Sequence, residues 1–170
     1  MGNFGKKIET FINVFVDAGG YKTVATGLKN TLIIAILGLV IGIAIGILIA
    51  TVRVTPKKKG FMKFLDSFCS FYVGFFRGTP IVVQLLLFYY VMLPILGLKM
   101  SSVSVAVCVF GLNSAAYISE IMRGGILSVD PGQMEGGRSV GLSYGTTMIK
   151  IIIPQAIKNI IPSLGNEFIA

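Results

Sequence analysis

The sequence contains no histidine, only two cysteines, and seven acidic residues in 170 positions. Without histidine, no Ser–His or Cys–His nucleophile pair can form, and the commonest neutral metal ligand is missing. Cys69 and Cys108 stand 39 residues apart, which matches no metal-ligand spacing and implies no disulfide. The seven carboxylates are scattered, with no paired-acid spacing inside the apolar segments. There is no glycine-rich phosphate loop ending in Lys-Ser/Thr, so the chain is expected to bind no ATP itself. These absences read as a protein that is not an enzyme, with no catalytic residue, no metal site and no cofactor in this chain.

Charge is scarce as well. Only 13% of residues are charged and 54% are apolar, with a mean hydropathy of +0.84. A soluble domain carries roughly 25% charged residues. The net charge of +8 is basic, but the Lys and Arg residues flank apolar runs. That arrangement fits the positive-inside rule of membrane proteins, and no nucleic-acid partner is expected. No short apolar region with a cleavage site is found near the N-terminus, so no signal peptide is expected. Residues 8–16 read as a short interfacial helix. Cys108 lies in an apolar run and is expected to be a small buried residue.

Three apolar stretches are long enough to span a bilayer. The first covers about 32–52. Leu32 to Ala50 is nineteen residues without a polar side chain, and at about 1.5 Å per residue it crosses a hydrocarbon core of roughly 30 Å. Gly38, Gly42 and Gly46 recur every fourth residue in it and so share one face. Small faces let helix backbones approach closely in lipid, so this is read as a helix-packing face. The second span covers about 79–98 and starts at Pro80; Gln84 is its one strongly polar residue. A lone glutamine in a span needs a partner inside the bundle. It serves either a helix–helix hydrogen bond or the translocation path. The third covers about 101–122. Between the first two spans, residues 53–77 hold six Lys or Arg, including Lys57-Lys58-Lys59, which places that connection on the cytoplasmic side. Phe61 to Phe76, rich in phenylalanine, reads as an amphipathic helix at that interface or as the early turns of the second span.

Residues 128–154 form a polar helix–turn–helix in this apolar chain. Asp130 suits a helix N-cap, Pro131 the first helical position, and Gln133 the reciprocal position of a capping box. Gly141 suits a left-handed helix stop. Ser143 then caps a second helix that is expected to break at Pro154. Glu135, Gly136 and Gly137, then three residues, Gly141, nine residues, and Ile151-Ile152-Ile153-Pro154 resemble the "EAA" loop of the transmembrane subunits of bacterial ABC importers. Two glycines stand here in place of the family's alanines, each weakening an isolated helix by about 1 kcal/mol. Arg77-Gly78-Thr79-Pro80 with Val83-Gln84-Leu85, and Ser114-Ala115-Ala116-Tyr117 leading to Glu120, Arg123, Gly124 and Gly125, are similar to the polar amino-acid branch of that family. The similarity runs from about residue 25 to residue 170.

The resemblance implies an all-α, polytopic integral membrane protein of the ABC importer permease fold, one domain over residues 1–170. Of a family core of five transmembrane helices, about three and the start of a fourth (about 156–170) are expected, in a C-terminally truncated chain. It implies amino-acid import across the bacterial cytoplasmic membrane by alternating access. The expected partners are a separate ATP-binding subunit carrying ATP and Mg, a second permease copy or paralogue, an extracytoplasmic binding protein and the bilayer. Asp130, Gln133, Glu135, Gly136, Gly137, Arg138, Gly141 and Pro154 are then the ATPase-coupling residues. By polarity and depth, Gln84, Asn113, Tyr117 and Glu120 are candidates for the substrate pathway. Glu120 and Arg123 share a helix face, so Glu120 is expected to pair with Arg123 or Arg77; a gating role is the other reading. The alternative to import is a helical membrane scaffold without an ATPase partner.

Overall fold

The computed structural model describes residues 3–56 and 59–169 and is all helical among them. Lys57 and Lys58 of the basic cluster lie outside the described residues. In chain order the helices are α1 (Asn3–Ile12), α2 (Gly20–Val54), α3 (Phe61–Gly78), α4 (Ile81–Leu87), α5 (Leu93–Leu96), α6 (Ser102–Leu127), α7 (Pro131–Ser139), α8 (Tyr144–Thr147) and α9 (Ile153–Ile169). Two π turns, Phe88–Met92 and Met148–Ile152, join their neighbours without a break in the rod; a third, Asn13–Asp17, extends α1 and ends at a turn through Ala18 and the left-handed Gly19.

α2 begins twelve residues before the apolar run that identified it. At 35 residues it measures about 52 Å, longer than a hydrocarbon core of roughly 30 Å. The extra turns carry Lys22, Lys29 and Asn30, which a helix tolerates wherever water can reach them. α2 and α6 are each long and apolar enough to cross a membrane. The second expected span is different. α4, its π turn and α5 cover only Ile81–Leu96, and α3 meets them at a bend of 109°. The two halves are long and apolar enough to cross a membrane only when counted together. Thr79 is extended (φ −121°, ψ 142°) and Pro80 acts as N-cap at ψ 137°, because the proline ring pushes its predecessor out of the helical region.

Gln84 holds this corner. Its Nε2 donates to the carbonyls of Phe76 (2.9 Å) and Thr79 (3.0 Å), and to Thr79 Oγ1 (2.9 Å). The carbonyls at a helix end have no partner within the helix, and here a side chain from the next helix supplies one. Gln84 is only 1% exposed, and its Oε1 has no partner among the described residues.

The centre of the fold is the α2–α6 pair. Gly38, Gly42 and Gly46 are buried on it. A Cβ on Gly42 would meet Ser114 Cβ at 2.7 Å, and one on Gly46 would meet Ile118 Cγ2 at 2.9 Å. Gly111 on α6 answers from the other side, where a Cβ would meet Ile41 Cγ2 at 2.8 Å. Ala115 and Ile118 fill the same seam, Ala116 packs beside it with Ile49, Val73 and Phe76, and all three are at most 1% exposed. Cys108 departs from expectation. It is exposed: it stands in the first two turns of α6, before the closely approached residues Gly111, Ser114 and Ile118, although its spacing of three and seven from Gly111 and Ala115 puts it on their face.

Replacing Gly42 with leucine should therefore overpack this seam and cost about 1–3 kcal/mol. Leu48→Ala, on the exposed side of α2, should have little effect. Thermal unfolding of the detergent-solubilised chain checks the contrast; equal midpoints for the two variants would contradict the close approach.

Candidate functional site: the polar loop and the charged end of the bundle

α7 starts as its sequence dictates. Asp130 Oδ1 accepts the Gly132 amide at 2.6 Å, and Pro131 occupies the first helical position. The capping box does not close. Gln133 Oε1 accepts instead from Gln155 Nε2 at 3.3 Å, which ties α7 to α9. The helix ends in a Schellman arrangement. Gly141 takes φ +85°, the Leu142 amide donates to the Gly137 carbonyl and the Gly141 amide to the Arg138 carbonyl, both at 3.1 Å. This is the conformation for which glycine is favoured. Arg138 Nη1 donates to the Leu142 carbonyl at 3.0 Å, so its guanidinium serves the turn.

Ser143 caps α8 by accepting the Thr146 amide at 3.1 Å. The break expected at Pro154 is absent: helix continues from α8 through the π turn into α9, with Pro154 in the first turn of α9 and Pro162 inside it. The physical reason is the wide turn at Met148–Ile152. A proline removes one i→i−4 bond and crowds the carbonyl four residues back, here Lys150; opening the ladder by one residue at that point absorbs both effects.

The two glycines of the loop do different work. Gly136 is exposed, and a Cβ there would meet nothing within 4 Å. Gly137 is buried, and a Cβ there would meet Thr147 Cγ2 at 2.4 Å. Thr147 is itself fully buried and donates to the Ser143 carbonyl at 3.0 Å. Beneath this contact, Val129, Ile152 and Ala156 form a buried cluster joined by Met134, Met148 and Ile126. Gly125 of α6 faces Ile160 and Ala156 of α9. Asn159 Nδ2 donates to Ser128 Oγ at 2.8 Å. The loop is thus fastened to the end of α6. What it leaves outward is one face of α7: Glu135, Gly136, Ser139 and Val140, the last 75% exposed. Sequence reading named Glu135 and Gly136 but missed Ser139 and Val140, which the i, i+1, i+4, i+5 spacing on a helix would have included.

At the same end of the bundle, Glu120 gathers three guanidinium groups from three helices. Arg123 of α6 binds its Oε2 through Nε (3.1 Å) and Nη2 (2.9 Å). Arg53 of α2 bonds to Oε1. Arg77 of α3 lies 3.9 Å from Oε2 and stacks over the Tyr117 ring, 5.2 Å from its centroid. The Glu120 side chain is 16% exposed, so the cluster is partly desolvated and its charge-assisted bonds are strong ones. Asn113, Tyr117 and Glu120 follow one face of α6 at steps of four and three, and all three are half-buried. Gln84 is not on that face; it is committed to the α3–α4 corner. Arg77 and Arg123 were foreseen as partners of Glu120. Arg53 was not, since a contact 67 residues away leaves no local pattern.

Residues 42–170 match the family model described as "binding-protein-dependent transport system inner membrane component". The chain is 38% identical over 146 residues to the arginine transport system permease protein ArtQ of Bacillus subtilis (strain 168), covering 86% of this chain and 63% of that protein. It superposes on the crystal structure of an amino acid ABC transporter with histidines at a TM-score of 0.78, with 40% identity over 91% of this chain and 70% of the other. An inward-facing form of the MetNI methionine ABC transporter shares the fold, with a TM-score of 0.60, 21% identity and coverage of 84% of this chain and 64% of that one. The chain thus spans a little under two thirds of the length of the ArtQ relative.

The two glycines generate a test. Gly136→Ala should stabilise α7 by about 1 kcal/mol through helix propensity. Gly137→Ala should destabilise its seating by about 1–3 kcal/mol, and Thr147→Ala in the same chain should restore most of the loss. Limited proteolysis of the loop reads all three; a benign Gly137→Ala on its own would refute the steric account.

Proposed function

The chain belongs to the family of binding-protein-dependent transport system inner membrane components, and on that premise we propose that it is the membrane-spanning subunit of an ATP-driven importer of a polar amino acid. It is a multi-pass protein of the bacterial cytoplasmic membrane, with the 128–154 loop on the cytoplasmic side. It hydrolyses nothing itself; ATP and Mg sit on a separate ATP-binding subunit. A second permease, a copy or a paralogue, completes the pathway, and an extracytoplasmic binding protein delivers the substrate.

The observation that carries this reading is the mechanical continuity from α7 to α6. A subunit that closes on ATP must turn a local push into a shift between two arrangements of the bundle. That needs a lever without slack. α7 follows α6 after three residues, is braced on the Val129–Ile152–Ala156 cluster, and is tied to α9 through Gln133 and Gln155. The outward face of Glu135, Gly136, Ser139 and Val140 is the contact surface for the ATP-binding subunit. Asp130, Gly137, Arg138 and Gly141 shape that surface from behind, and the π turn before Pro154 lets the helix continue into α9.

On the pathway side, Asn113, Tyr117 and Glu120 form the polar face of α6. Glu120 and its three guanidinium partners tie α2, α3 and α6 together at the loop end, and the pathway must part these helices there to open. Gln84 holds the corner of the second span and does not face the substrate.

The experiment is reconstitution with the ATP-binding subunit and binding protein, measuring ATP hydrolysis and uptake over a panel of amino acids. One amino acid should stimulate hydrolysis and be taken up. Glu135→Lys, or a bulky residue at Gly141, should lower uptake per ATP by about tenfold, within the usual range of allosteric coupling, while membrane insertion stays normal. If both variants transported at the unmodified rate, the loop would have no coupling role. If the ATP-binding subunit failed to assemble with the unmodified chain, the scaffold reading would replace import.

A further inference from the structure

α3 carries a feature that transport does not use. Phe61, Phe64, Phe68, Phe71 and Phe75 recur at steps of three and four, so they line one edge of the helix. All five are exposed, from 38% at Phe75 to 72% at Phe61 and Phe71. The packed edge is the neighbouring one: Cys69, Tyr72, Val73 and Phe76 meet Ile45 and Ile49 of α2 and Leu112 and Ala116 of α6.

The depth of α3 follows from its ends. Arg53 stands one residue before the end of α2, and Arg77 one residue before the end of α3; both meet Glu120. An 18-residue helix is about 27 Å long. Set along the bilayer normal, α3 would carry Arg77 far from the level at which α2 stops. Instead the far end of α3 returns to that level, and the chain turns by 109° before α4 sets off. α3 therefore lies across α2 at Ile45 and Ile49, within the last three turns of that helix, and across α6 at Leu112 and Ala116.

Charge completes the picture. Residues 53–77 hold six Lys or Arg against the single acid Asp66, and Lys59 and Lys63 at the start of α3 are exposed. A basic helix with an aromatic edge fits the boundary between head groups and acyl chains of an anionic membrane. A second copy of the chain is the poorer occupant. Helix pairs in lipid meet through small residues, as α2 and α6 do here, whereas this edge presents five large rings. α2 likewise exposes apolar side chains, at Ile43, Ile47 and Leu48.

We propose that α3 is a membrane-surface helix that beds its phenylalanine edge in the leaflet where α2 ends, and that Lys59 and Lys63 draw the phosphates of anionic phospholipids to it. The inference does not depend on what the protein transports.

The chain contains no tryptophan, so a single introduced one is a clean reporter. The full chain carrying Phe71→Trp is reconstituted in phosphatidylcholine vesicles with or without phosphatidylglycerol, and with bromines at defined acyl depths. Val40→Trp, on the exposed side of α2, calibrates the deep position. Trp at 71 should be quenched about twofold more by bromines placed about 5–10 Å below the head groups than by bromines at the chain ends. That preference should need phosphatidylglycerol and weaken in the Lys59→Gln/Lys63→Gln variant. Strongest quenching at the chain ends would make α3 a crossing helix, and no quenching at all would mean that protein covers the edge. Shallow quenching indifferent to phosphatidylglycerol would remove the lipid specificity. Each of these three results overturns the proposal.

Discussion

The structure depends on two helices coming closer than side chains normally allow. In a bilayer the surrounding lipid is as apolar as leucine, so burying leucine between helices gains little. What remains is dispersion, and it falls off steeply with distance. The glycines at 38, 42, 46 and 111 remove the side chains that would hold α2 and α6 apart. With the backbones close, Ala115 and Ile118 make their contacts at near-zero exposure. The remaining elements lean on α6: α3 and α4 at its middle, α9 at its end.

That arrangement sets where polar chemistry can sit. A carboxylate near the end of a membrane helix is costly unless paired. Glu120 is paired three times over, and its partners come from the three helices that meet there. The cluster does for the loop end of the bundle what the glycine seam does for its middle, with ionic bonds in place of packing. The two differ in how they yield. A packed seam is lost all at once, whereas an ionic cluster with more guanidinium groups than carboxylates can exchange partners as helices shift.

Much of this was legible in the sequence, and the legible part was local. The span of α2 came from an uninterrupted apolar run and that of α6 from a shorter, more polar one, and the seam from glycines in phase with a helical turn. Asp130, Pro131, Gly141 and Ser143 marked their caps because capping is decided within four residues. What was not legible required either distance or context. Arg53 reaches Glu120 across 67 positions. Gln84 could be read as a path residue or a helix tie until the carbonyls of Phe76 and Thr79 were seen beside it. Pro154 reads as a stop by itself; only the π turn before it makes the continuation possible. α2 outran its apolar run because lysines end a membrane segment but not a helix. Cys108 was misplaced because an apolar run does not tell how much of each residue the neighbouring helices cover.

Gly136 and Gly137 show why a motif departure needs both levels. By helix propensity alone they are equal, each weakening α7 by about 1 kcal/mol relative to alanine. By packing they are opposite. One faces open space and the other faces Thr147 at a distance no Cβ tolerates. The loss of propensity at Gly137 is offset by a seat on α8 that alanine could occupy only if Thr147 gave way. Thr147 does not give way readily, since it is fully buried and its hydroxyl is bonded to the Ser143 carbonyl. A glycine at 137 and a threonine at 147 are therefore one choice, made together, and α7 is stiffened by its tertiary contact more than by its own helix. Gly136 has no such partner, so its cost stays uncompensated within this chain, on the face the chain leaves outward.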